Sequence, residues 1–215
     1  MQVSGDNTPT RNASVSKYYA IAGLICIGSV SNPLFLNLES SSAPLKVSVD
    51  SILVLGGALV GYALFLFLTY KEGNLRDFYK NLLQASFLAK GTLFGWIIPS
   101  VILIAWYLPQ TLVFSLFSVY GKALEIVSMV VAGLFGGLAW GGMSKAMKSA
   151  TMFTLFFMSG TMGEIFIEFS TSFGNSIYPV YSLSQIAYTG YTMWAISVIP
   201  VTYFSVKLLK DLGLF

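Results

Sequence analysis

Two carboxylates one helical turn apart, Glu164 and Glu168, lie inside an apolar run of about 150–172 and are the side chains whose type and spacing most suggest chemistry. With Thr161 and Thr171 they follow a three-and-four spacing, which puts all four on one helical face, with Gly160 beside them. Glu164 falls about 13 residues into the run, roughly 20 Å along a helix axis and near the middle of a bilayer. A charge at that depth costs on the order of 3 kcal/mol on insertion scales, so such groups usually face a bundle interior or a wet cavity. The chemistry suited to the pair is the binding of a proton or a cation. Tyr188 and Tyr191, with Gln185 and Thr192, are the expected polar partners if the following apolar run packs alongside. The plainer alternative is a carboxyl group that only hydrogen-bonds to a hydroxyl on an adjoining helix.

What is missing narrows the chemistry further. Histidine is absent, which excludes His-ligated metal, bis-His haem and Ser-His-Asp catalysis. The single cysteine, Cys26, allows no internal disulfide. No P-loop, dinucleotide glycine fingerprint, HExxH or Gly-x-Ser-x-Gly elbow occurs, and Ser144 and Lys145, being adjacent, cannot form a dyad on one helix. No catalytic residue, metal ligand or cofactor is expected.

The elements that must position these groups are apolar rods. Of the 215 residues 55% are hydrophobic and 10% charged, too few charges to cover a water-soluble globule. The fold class expected is all-α, a polytopic integral membrane protein with about six transmembrane helices in one bundle. A flexible polar tail over 1–16 precedes a single helical domain over 17–215, with spans near 18–36, 47–70, 92–108, 123–143, 150–172 and 184–206. Asn32-Pro33 should bend the end of the first span. The charged segment 71–90 suits a helix lying at the membrane surface. The uncharged stretch Thr92 to Tyr120 would make about 43 Å of helix, too long for one crossing, so a re-entrant or interfacial piece is expected over Thr111 to Tyr120.

Gly133, Gly137 and Gly141 recur at four-residue spacing in the fourth span, and Gly57 and Gly61 in the second. Stripes of this kind let helices approach closely in lipid, with a crossing inside the chain as the default. Asp50 and Glu125 sit near span ends, where carboxylates are ordinarily solvated.

Six spans put both termini on one side. That side carries Arg11, Lys17, Lys71, Arg76, Lys80, Lys90, Lys145, Lys148, Lys207 and Lys210, and the other only Lys46 and Lys122. The positive-inside rule then makes the termini cytoplasmic, with the cell membrane the expected location. The basic residues form no nucleic-acid footprint. Besides the lipid bilayer, the partners left open are further copies of the chain, other membrane subunits, and a small solute or ion. The function expected is a small multi-pass transport protein, a permease or channel component, with a proton- or cation-linked site around Glu164. The alternative is a non-catalytic membrane subunit that anchors or braces a larger complex.

Overall fold

A computed structural model describes residues 8–70, 91, 95, 97–173 and 178–214. The described residues hold helices and no strands. In chain order they are α1 (Thr8–Val30), α2 (Pro33–Glu39), α3 (Ala43–Tyr70), α4 (Ile98–Trp106), α5 (Pro109–Phe117), α6 (Val119–Trp140), α7 (Lys145–Glu168) and α8 (Leu183–Asp211). A π-helical turn, Phe169–Phe173, extends α7. The segment 71–90, expected to lie at the membrane surface, falls outside the described residues.

The length and hydropathy of α3, α6, α7 with its extension, and α8 suffice to cross a membrane. Two bent pairs bring the number to as many as six if each is one span. The first pair, α1 and α2, turns through 58°. Its break is at Asn32, whose side chain accepts hydrogen bonds from the amides of Leu34 and Phe35 while Pro33 starts α2. The second pair, α4 and α5, turns through 72° at Pro109, so the long uncharged stretch breaks ahead of Thr111. Helix α1 reaches back to Thr8, into the stretch expected to be a loose tail, and Ser16 is buried there with its hydroxyl donating to the Ala63 carbonyl of α3.

Helices α3 and α6 run parallel, and their glycines mesh. A Cβ on Gly57 would lie 2.2 Å from the Val130 carbonyl oxygen, and one on Gly61 2.1 Å from that of Leu134. In the other direction, a Cβ on Gly133 would meet the Val54 oxygen at 2.0 Å and one on Gly137 the Ala58 oxygen at 1.9 Å. Backbone therefore rests directly on backbone, where dispersion between close-packed atoms replaces the hydrophobic drive that lipid does not supply. Gly141 receives the Phe65 ring one turn further on. Helix α1 packs antiparallel on the other side of α3 through Gly23 and Gly56.

Helices α7 and α8 form a second, antiparallel pair around Gly163 and Gly190. This pair meets the rest of the bundle at the end where α3 begins. Phe166 and Ile186 pack there with Ala43, Leu112, Tyr178 and Tyr181. At the opposite end Ser149 donates a hydrogen bond to Asp211.

Gly137→Ala places a methyl group against backbone and is expected to lower stability by about 1–3 kcal/mol, as overpacked cores do. Gly136→Ala, with nothing within 4 Å of the added atom, should be neutral or stabilising by about 1 kcal/mol. Unfolding midpoints in detergent compare the two, and equal midpoints would mean that the crossing is not close-packed.

Candidate functional site

Where α2, α3 and α6 converge, five ionisable side chains form one network. Lys46, in the first turn of α3, reaches Asp50 one turn on and donates to Glu125 Oε1 of α6 at 2.6 Å. Lys122, one turn before Glu125 on α6, donates to Glu125 Oε2 at 2.9 Å and to Glu39 Oε2 at the end of α2. The helical spacings, i to i+4 for Lys46 and Asp50 and i to i+3 for Lys122 and Glu125, make each local pair; the convergence of the helices joins them. Glu39 and Glu125 expose 0% of their surface, Lys46 and Asp50 2%, and Lys122 13%.

Aromatic side chains complete the enclosure. Tyr107, at the turn between α4 and α5, donates its hydroxyl to Asp50 Oδ2 at 3.3 Å. Tyr181, just before α8, donates to the Glu39 carbonyl at 2.8 Å, and Tyr178 to the Tyr107 carbonyl at 3.0 Å. Burial pushes the Tyr181 phenol up from its ordinary pKa, and the charges of Glu39, Asp50 and Glu125 push the same way, so it remains a donor. Nearby, Trp106 donates to Ser128 Oγ at 2.6 Å, which fixes α4 against α6. A small apolar cavity of about 20 Å³ borders the network beside Lys46, between Val47, Leu112, Phe166 and Ile186.

This arrangement corrects the expectation that Asp50 and Glu125 are solvated. Both are buried because the bends after α1 and α4 fold α2 and α5 across the end of the bundle, covering what straight spans would leave open.

Glu164 and Glu168, the residues the spacing favoured, lie elsewhere. Both are exposed on the outer face of α7. The helix starts at Lys145 and its π-helical turn carries the span to Ser172, so its centre falls near Met158 and Glu164 sits about 9 Å beyond it. Glu164 borders an open groove of about 200 Å³ with Gly160, Thr161, Trp194 and Ser197, and its carboxylate has no partner among the described residues. The Thr161 hydroxyl donates to its own helix, at the Phe157 carbonyl. Tyr188 and Tyr191, expected to face Glu164, are 65% and 59% exposed and are not among the residues lining that groove. Gln185 instead donates to the Ser41 carbonyl, between α2 and α3.

Residues 21–211 match the family model described as a protein of unknown function, DUF1404. The chain belongs to the DUF1404 family. The match spans all five charged members of the network and the three tyrosines, Tyr107, Tyr178 and Tyr181, that enclose it. No curated protein and no solved structure matches this DUF1404 chain.

The energetics of the network follow from its burial. Removing one partner of a buried ion pair leaves the other charge without compensation at a cost of about 3–5 kcal/mol. Lys46→Met leaves Asp50 without an ammonium partner and Glu125 with Lys122 alone, and should lower detergent unfolding stability by that amount. Lys207→Met, which breaks the more exposed pair with Asp211, should leave the unfolding midpoint nearly unchanged. Similar losses for the two variants would show that the network is open to water.

Proposed function

We propose that this chain is a small multi-pass membrane transport protein, a permease or channel component, whose proton- or cation-handling element is the network of Glu39, Lys46, Asp50, Lys122 and Glu125. The observation that carries the reading is the sealing of five ionisable groups, three negative and two positive, among apolar helices. Ionisable residues at such positions are expensive, and they commonly mark ion pathways and proton relays. A purely structural clamp would need only matched pairs; the unmatched carboxylate points to an exchangeable positive charge.

The basic residues outside the network lie in segments assigned to one side, and the termini are proposed to be cytoplasmic on that account. Lys46 and Lys122, the two exceptions to the bias, are both consumed by the network. On this reading the network sits toward the outer face of the cell membrane.

Purified protein reconstituted in vesicles with an ion gradient tests the proposal. Asp50→Asn and Glu125→Gln are each expected to reduce proton or cation flux at least tenfold, with the protein still folded. Wild-type vesicles no leakier than empty ones would sink the transport reading.

A second reading, a membrane subunit that braces a larger assembly, draws on a different observation. The α7 and α8 spans are only 11% and 6% buried, against 33% for α3 and 39% for α6, and the exposed face includes Glu164 and Glu168. Extraction in mild detergent separates the readings: defined companion subunits at fixed ratio favour the brace, and the chain alone favours the transporter.

A further inference from the structure

The network contains its own test for what the extra positive charge is. It carries three carboxylates against two ammonium groups, one negative charge in excess when all are ionised. Its oxygens can be accounted for one by one. Both oxygens of Glu125 accept from lysine, Asp50 Oδ2 accepts from Lys46 and Tyr107, and Glu39 Oε2 accepts from Lys122. Glu39 Oε1 and Asp50 Oδ1 remain, both buried and both without a partner. The excess charge therefore lies on the Glu39 and Asp50 carboxyl groups, and Glu125 is fully compensated.

One oxygen from each of Glu39, Asp50 and Glu125 lies within 4.8 Å of the others, a grouping that could suit a metal ion. The ammonium groups argue against one. Lys46 Nζ already bridges Asp50 and Glu125, and Lys122 Nζ bridges Glu39 and Glu125, so a divalent ion would sit against two like charges in a medium that screens them poorly. The other ionisable groups facing the network, Tyr107 and Tyr181, supply hydroxyl donors and no positive charge. A proton needs no coordination shell, and it makes the sealed network neutral. A net buried charge costs far more than a neutral assembly of the same groups.

We propose that the network binds one proton per chain, held on Glu39 or Asp50, and that it takes no metal ion. The step is simple addition: a proton from water joins a carboxylate oxygen, and the product is one neutral carboxylic acid among two carboxylates and two ammonium groups. The inference rests on the transport reading for the meaning of the proton, while the charge count stands apart from it.

The proposal turns into arithmetic on variants. Infrared spectroscopy of the purified full-length protein at pH 7 reports carboxylic acid groups through their C=O stretch, and a Glu164→Gln, Glu168→Gln background removes the two exposed span carboxylates from the signal. That background is expected to show one carboxylic acid per chain. Glu39→Gln, Asp50→Asn and Glu125→Gln each leave two carboxylates with two ammonium groups and should show none. Lys122→Met should show two. No acid band in the background protein, or a band of undiminished size in both Glu39→Gln and Asp50→Asn, would overturn the proposal without requiring any variant to transport.

Calorimetric titration with calcium chloride or sodium chloride supplies the second arm. No saturable heat is expected, and saturable binding that disappears in Glu39→Gln would replace the proton by a cation. The two levels of the account fail separately. A single acid band in a protein with no flux retains the proton and removes transport; flux without the band does the reverse.

Discussion

Charge does not stay in an apolar interior unless it is matched, and the end of the bundle where α3 and α6 begin is organised by that constraint. Lys46 and Lys122 would each be costly alone, as would Glu39, Asp50 and Glu125. Together they compensate one another, but only if α2 lies across the ends of α3 and α6 so that Glu39 reaches Lys122. The 58° turn at Asn32 provides that position, and the turn at Pro109 brings Tyr107 to Asp50 from the other side. The bends are thus part of the same solution as the charges.

Contact between α3 and α6 depends on a second kind of match, one of shape. The two helices run parallel with carbonyl groups of one seated where the other has only hydrogen atoms. Parallel neighbours cannot be joined by a short turn, which is why a long connection containing α4 and α5 lies between them. The crossing at Gly57 and Val130 follows the Lys46–Glu125 ion pair by three turns on α3 and little more than one on α6.

Much of this was legible in the residue order. The apolar rods, the breaks at Asn32-Pro33 and Pro109 and the stripes of Gly57, Gly61, Gly133 and Gly137 are local signals, and local signals survive in a sequence. The network was half legible. Lys46 with Asp50, and Lys122 with Glu125, stand at spacings that make helical ion pairs, and these lysines are the two that depart from the basic bias of the other side. Their meeting with Glu39 was not legible, because it depends on the angle of a bend and on contacts 79 and 83 residues apart in the chain. Glu164 drew attention through its depth in an apolar run, yet depth along a helix says nothing about which way the helix faces, and α7 sets it in an open groove beside Trp194 and Ser197 of α8.

The chain distances within the network have a consequence for how the protein is made. Lys46 and Asp50 arrive as neighbours, one helical turn apart. Glu39 is made well before Lys122, the cation it binds, which follows 83 residues later. The ion pair that holds α2 across this end of the bundle therefore requires α6 to be in place. The short helix thus gains its counterion only after more than half of the chain has been synthesised.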